Sequence, residues 1–487
     1  MTRRATIPGL QAGADDQSPQ VVVVGAGISG LAAAAGIRRE RPDVVVTVLE
    51  GAPEIGGKLA LAEVAGVTVD VGAESMLNRR PEAVELARSV GLAERLVHPA
   101  TTSARVWSRG RMHTMPPTLM GVPTDARALA ESGVISKSGL ARAAMDAVLP
   151  PTRIGGHDVS IGRLIEERFG KEVVDRLVEP LLGGVYAGHA REISARAAVP
   201  RVVSLLEEDR SLLRAAAAAT RSRSDVPVFA GLVGGLGQLP AAVVAAAGLD
   251  VRTQATVRGL AHASEGGWNL VVGSAHAPSV LHADAVVLAT PASATARLLA
   301  EVAPEAALEL ARVEYASMAI VTLAFRRQDL PAVSGSGFLV PPVDGRAVKA
   351  ATFSFAKWDW VREAGRAHGE ELLVLRCSIG RHREERLLHR PDDELVQTAL
   401  DDLADAVGLT VRPVDAHVRR WGGALPQYAV GHLDRVARVR AAVARQPGLA
   451  VCGATYDGLG LPACIASAEL AVAQLRDSLP EPVDPGR

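Results

Sequence analysis

The sequence predicts an α/β core with an added α+β layer and an inserted helical subdomain, and three features lead there. Residues 21–24 are a continuous apolar run, followed by closely spaced glycines and the alanine-rich stretch 31–38. From about residue 81 to 220 apolar residues recur at helical spacing, broken by prolines. Near the other end, residues 449–462 bring back an apolar run, clustered glycines and a helix start. At 487 residues, 48% of them hydrophobic, the chain is long enough for two or three domains.

Taken in order, the run 21–24 is short, apolar and bounded by glycine, which predicts a buried strand, a tight turn and then a helix over 31–38. A second strand over 44–49 completes a βαβ unit. The stretch 81–220 shows no strand-rich segment and is expected to be helical, interrupting the first unit. At residue 226 the pattern changes. The segment GLVGGLGQLP opens a helix, and strands are expected around 256–260, 268–272 and 285–288 as more of the first domain. Strand-like runs within 338–376 and over 411–421, with a helix over 392–407 between them, predict the α+β layer. Finally, Ile465, Ala468, Val472, Leu475 and Leu479 recur at spacings of three and four, so one face of a last helix packs inward, and Pro462 suits its first position. No fixed-period repeat is visible, and low complexity is limited to alanine runs such as 215–219.

Charge narrows the class of partner. Lys and Arg number 53 against 54 Asp and Glu, so no long-range basic field exists to hold nucleic acid or an anionic membrane, and an anionic ligand must be met locally. The three cysteines, Cys377, Cys452 and Cys464, lack disulfide or zinc spacing and are expected as small buried residues in a reducing compartment. Arg3-Arg4 hints at twin-arginine export, but no apolar core follows; residues 1–17 are expected to be a disordered tail. The least polar run, 21–37, contains four glycines and reads as strand, turn and helix, not a membrane span. A cytoplasmic protein is expected. None of the twelve histidines sits in HExxH or another close ligand pair, so no metal is expected.

Three glycine motifs carry the chemistry. Gly25-Ala26-Gly27-Ile28-Ser29-Gly30 lies between the first strand and its helix, and Glu50 ends the next strand. Gly25 permits the turn, Gly27 lets the backbone approach a pyrophosphate, Gly30 permits close helix packing, and Glu50 accepts from ribose hydroxyls. This Rossmann-like motif does not separate NAD from FAD. The second motif does: Glu54-Ile55-Gly56-Gly57-Lys58, followed by Val69-Asp70-Val71-Gly72-Ala73-Glu74-Ser75. A flavin dinucleotide lies extended, so a second glycine pair is needed beside its ribityl-phosphate half, with Lys58 offsetting phosphate charge. An ordinary turn is the alternative. The third is residues 449–462, LAVCGATYDGLGLP, ahead of the last helix. The positive end of that helix, set beside the flavin ring, stabilises the charge that appears on reduction; a plain docking helix needs no such glycines. Ala289-Thr290-Pro291 and Val257 fit the same site less specifically.

With these motifs in place, the chain resembles the flavin amine oxidase superfamily, and within it the bacterial protoporphyrinogen and coproporphyrinogen oxidases. It is most similar to the soluble coproporphyrinogen III oxidases of Gram-positive bacteria. The resemblance covers nearly the whole length and rests on RMHTMPPTLMGVPT from Arg111, EPLLGGVYAG from Glu179, RWGGALPQYAVGH from Arg420 and GATYDGLGLPACI near the end. It implies a two-dinucleotide-binding fold that holds FAD through Gly25 to Gly30, Glu50, Gly51, Gly57, Lys58, Gly72, Ala73, Glu74, Ser75, Val257, Trp421, Leu459, Gly460 and Leu461. It also implies a discontinuous FAD domain (18–76, 226–299, 424–482), a substrate domain (77–95, 192–225, 300–423) and a helical domain (96–191) that associates with membranes in some members. Leu461 and Ala73 depart mildly from the usual isoleucine and proline.

The implied reaction removes hydrogen from a porphyrinogen in two-electron steps, with dioxygen as acceptor and hydrogen peroxide released; the expected substrate is coproporphyrinogen III, with a ferrochelatase as a family-level partner for hand-off. The cation left on a porphyrinogen methylene is delocalised, so the protein mainly positions it and excludes water. No catalytic acid or base is visible in the sequence. Four propionates call for cations among apolar walls. Arg79 and Arg80, just past the Gly72–Ser75 loop, are the candidates, against the alternative of a solvated pair at a helix start; Lys357 and Arg376 are weaker ones. Trp421 is drawn toward the flavin by its motif, whereas Tyr428 is left open. Protoporphyrinogen oxidase shares the scaffold and differs in pocket charge. An amine oxidase or carotenoid desaturase is less suited, since 3% aromatic residues hardly build an aromatic cage. A non-catalytic escort is opposed by the intact phosphate loops.

Overall fold

In the computed structural model, which describes residues 18–152, 154–221, 226–367, 371–476 and 478–479, strands from distant parts of the chain meet in one parallel sheet. The expected tail, residues 1–17, lies outside the described residues. Across that sheet the order is Asp250–Arg252, Val45–Leu49, Gln20–Val24, Ala285–Leu288 and Leu449–Val451. Every neighbouring pair is parallel, and the central strands are buried on both faces, which is why residues 21–24 and 285–288 read as unbroken apolar runs.

One face of the sheet is covered by the helices Ile28–Glu40, Leu239–Ala247 and Leu461–Arg476. Gly36 of the first lies against Val472 of the last: a Cβ there would sit 3.2 Å from a Val472 methyl, so the two helices approach as closely as glycine allows. Ile465, Ala468, Val472 and Leu475 are buried as their spacing predicts, and Pro462 is the second residue of the helix. The other face carries a three-stranded antiparallel sheet, Val257–His262, Trp268–Ser274 and Ala277–Ala283, with the helices Ala292–Leu299, Pro304–Ala311 and His432–Ala444.

The α+β layer is a seven-stranded sheet in the order Asp415–Pro426, Tyr315–Arg326, Leu372–Ile379, Val348–Thr352, Gly337–Leu339, Ala104–Ser108 and Arg111–Thr114. The helix Asp392–Val407 falls where its periodicity placed it and covers one face. Two features depart from the sequence reading. The 12-residue strand Tyr315–Arg326, largely apolar and without alternation, is not separable from helix by pattern. Residues 104–114, expected to be helical, instead form the hairpin at the sheet edge. Arg109 and Gly110 turn it with φ of 54° and 69°, so the turn signal there is Arg-Gly, which propensity does not flag. Short strands at Leu96–Val97, Thr118–Leu119 and Val122–Pro123 also interrupt the stretch. The helices between Ala126 and Arg221 do build a separate core around Phe169, Leu177 and Leu205.

Candidate FAD site

A cavity of about 470 Å³ opens at the carboxyl ends of the parallel strands, where the two ends of the chain meet. Gly25, Gly27, Ile28, Ser29, Glu50, Gly51, Gly57, Lys58 and Ala73 line it from the first segment, and Leu459, Leu461 and Cys464 from the last. This is the crevice where open parallel sheets place their ligands.

In the first glycine loop two glycines are crowded by protein backbone and one faces open space. Gly25 has φ of 107°, and a Cβ on it would lie 2.8 Å from the Ala289 carbonyl oxygen. A Cβ on Gly30 would lie 1.9 Å from the Gly25 oxygen, so only glycine lets the helix start this tightly. Gly27 differs: its Cβ would meet no protein atom within 4 Å and would project into free space. Gly27 is also the N-cap of the helix, with no side-chain cap, which leaves the first backbone N–H groups and the positive helix end for an anion.

The second glycine pair folds onto the first. The Gly56 N–H donates to the Ala26 carbonyl (2.8 Å), and a Cβ on Gly57 would lie 3.3 Å from the Gly27 Cα. Ala26 is thus buried as the joint between the loops and does not line the cavity. Its N–H donates to Glu50 Oε2 (2.8 Å) while Ala52 N–H donates to Oε1 (2.9 Å), so the Glu50 carboxylate is held by backbone and keeps lone pairs for hydroxyl donors. Lys58 is accessible from the cavity although protein surrounds it; desolvation by those walls lowers its pKa, with Cys464 and Glu50 pulling the other way.

The remaining expected contacts divide. Val257 lines the cavity beside Ala255 and Thr256. Of Gly72, Ala73, Glu74 and Ser75 only Ala73 does. Glu74 is instead gripped by Lys357 Nζ (2.6 Å) and Arg376 Nη1 (2.9 Å), and Arg376 Nη2 also donates to the Gly72 oxygen. Burial pushes the Glu74 pKa up, but these two cations outweigh it and hold it at about 2. Lys357 and Arg376 are therefore committed to fixing this loop. Trp421 lies behind it, its indole N–H donating to the Val71 oxygen (3.0 Å), and does not line the cavity. Gly460 likewise sits outside the lining, its carbonyl accepting the Cys464 N–H of the last helix. Tyr428 is buried, stacked on His432 at 4.1 Å, with its hydroxyl donating to the Ala454 oxygen, so it shapes the third glycine loop from beneath.

Arg79 and Arg80 are exposed and do not line the cavity. Arg80 caps the helix Pro81–Ser89 and pairs with Glu82, as the solvated-pair alternative describes. Sequence reasoning missed Tyr315, Arg297 and residues 424–426, all of which line the cavity. The Tyr315 hydroxyl accepts the Ala292 N–H (2.8 Å) and bonds Thr455 Oγ1 (2.9 Å), tying the seven-stranded sheet to the start of the helix Ala292–Leu299 and to the third glycine loop. A lone tyrosine before an apolar run carries no signal of this.

From residue 28 to 476 the sequence matches the family described as flavin containing amine oxidoreductase. The chain belongs to that family. The coproporphyrinogen III oxidase of Mycobacterium leprae (strain TN) is 39% identical over 459 residues, 93% of this chain and 97% of that one. The coproporphyrinogen III oxidase of Bacillus subtilis (strain 168) is 30% identical over 475 residues, 94% and 98% of the two chains. A crystal structure from Exiguobacterium sp. 255-15, provisionally named a protoporphyrinogen oxidase, superposes with a TM-score of 0.84 at 31% identity and covers 94% of this chain and 98% of its own. The protein is thus an FAD-dependent oxidoreductase of the flavin-containing amine oxidoreductase family. The donor set agrees: open space at Gly27, a backbone-held Glu50 and an accessible Lys58 suit a dinucleotide of this kind. Among the described residues no helix is long and apolar enough to cross a membrane.

Proposed function

We propose that the protein oxidises coproporphyrinogen III to coproporphyrin III, passing the electrons to dioxygen with release of hydrogen peroxide, in porphyrin and haem formation. The observation that carries the reading is one cavity made by both ends of a chain that is 39% identical to a coproporphyrinogen III oxidase over 93% of its length. When bound, FAD supplies the two-electron acceptor. The chain's own groups bind and orient. Gly25 and Gly27 present backbone to the phosphates, Glu50 takes ribose hydroxyls, and the N-terminus of the last helix, with Leu459 and Leu461 at the lining, lends positive potential at the opposite end. The cavity's ionisable side chains fall to binding roles: Glu50 is held by backbone, and burial raises Tyr315 and brings the Cys464 thiol up to about 11. Catalysis then rests on placing the donor methylene and excluding water, with no obligatory side-chain acid or base.

A protoporphyrinogen IX oxidase is the second reading, favoured by the name of the Exiguobacterium relative. Purified holoenzyme mixed anaerobically with each porphyrinogen in turn separates the two: flavin bleaching at least about 10-fold faster with coproporphyrinogen III is the expected result, in line with the 39% identical coproporphyrinogen III oxidase. Faster bleaching with protoporphyrinogen IX rejects the first reading. Re-oxidation in air with stoichiometric peroxide tests the acceptor. We further propose hand-off of the product to a ferrochelatase, a cytoplasmic location with at most peripheral membrane contact, and the three-domain division given above, with the hairpin 104–114 assigned to the substrate layer.

A further inference from the structure

The structure assigns to Arg297 a role in gripping the adenosine half of the cofactor. One end of the cavity is made where Glu50 and Gly51 leave the parallel sheet against the crossing segment 252–257. The Glu50 N–H donates to the Arg252 oxygen (2.9 Å), the Ala255 N–H to the Glu50 oxygen (2.7 Å), and a Cβ on Gly51 would lie 3.2 Å from Thr256 Oγ1. Because Glu50 is the carboxylate that takes ribose hydroxyls, this end receives adenosine, whereas Lys58, Cys464 and Leu459 surround the remainder.

The helix Ala292–Leu299 closes this end from the far side. Ala294, Arg297 and Leu298 are spaced i, i+3 and i+4, so they share one face, and all three line the cavity with Val257. Leu298 and Val257 supply apolar walls for a flat purine. Arg297 is exposed at the cavity's edge, and its side chain makes no ion pair or hydrogen bond with any described residue. Most other arginines here do pair, including Arg252 with Asp250 and Arg440 with Asp457. A free guanidinium at the edge of a cavity end lined by Leu298 and Val257 has the chemistry to stack on a purine face or donate to its ring nitrogens.

This rests on the FAD reading and deepens it. The test uses wild-type, Arg297→Gln and Arg297→Met enzyme, each titrated with FAD and with FMN after the flavin is stripped, following flavin fluorescence. FMN carries the same ring and first phosphate but no adenosine. The preference for FAD over FMN should fall about 10-fold in both variants, the size of one lost cation–π or charge-assisted contact. An unchanged FAD-to-FMN ratio overturns the assignment, whatever happens to each affinity alone. Wild-type protein that binds neither flavin overturns the cofactor reading instead, so the two failures are distinguishable. Arg297 is exposed on its helix, so both variants should fold, and an unshifted melting temperature of the stripped proteins confirms it.

Discussion

Two glycines three residues apart have opposite reasons to be glycine. A Cβ at Gly30 runs into the Gly25 oxygen, whereas one at Gly27 meets nothing of the protein. Gly30→Ala should therefore lower the melting temperature with or without FAD, because the loop itself must open. Gly27→Val should leave the stripped protein's melting temperature within a degree or two yet weaken FAD binding at least about 10-fold, since it fills space owed to a ligand. Equal behaviour of the two variants refutes the distinction. Two largely buried residues each cost the fold stability in acid. His432 is fully buried, and desolvation, helped by Arg435, drives its pKa down to about 4. The unfolded chain takes up that proton first, so stability falls as pH drops from about 6.5 toward 4. Glu74, at about 2 when folded, adds a loss that begins only below its unfolded value near 4.5. His432→Phe should raise the melting temperature at pH 5 relative to wild type and have little effect at pH 8; the reverse pattern excludes His432 as the sensitive group.

At the scale of elements, the helical core depends on a buried ion pair. Arg168 and Asp146 are almost fully buried, with Nε to Oδ1 at 2.6 Å, and Asp146 also accepts from Ser211 Oγ and the Leu213 N–H at the start of the helix Leu212–Arg221. Removing one partner leaves a buried charge without compensation, so Asp146→Ala should cost about 3–5 kcal/mol in denaturant unfolding. FAD affinity should be kept, because nothing in this cluster lines the cavity. Elsewhere, periodicity revealed the helices Asp392–Val407 and Leu461–Arg476, whose buried faces repeat at helical spacing. It failed for Tyr315–Arg326 and for residues 104–114. The first is a central strand covered on both faces, and the second owes its strands to a partner at Gly337–Leu339 more than 200 residues away.

For the whole molecule, the consequence of building one site from both chain ends is that ligand and fold are linked. FAD binds only the assembled form, so saturating FAD at about 100 times its dissociation constant should stabilise by about 2.7 kcal/mol and raise the melting temperature, and FMN should do so less. A melting curve indifferent to FAD contradicts that linkage. The glycine loops, Glu50 and the last helix were legible in the chain because backbone approach, turns and amphipathic packing restrict which residues can stand at each position. Their chemistry is local, and local chemistry leaves marks in sequence. What lay beyond that reading was long-range pairing. Whether Arg80 meets a substrate or Glu82, whether Glu74 faces a flavin or two cations, and which tyrosine joins the sheet to the third loop depend on partners up to 302 residues distant. A charged or aromatic side chain looks the same in sequence whether its partner is a ligand or another residue; only the packed arrangement decides which one desolvates it.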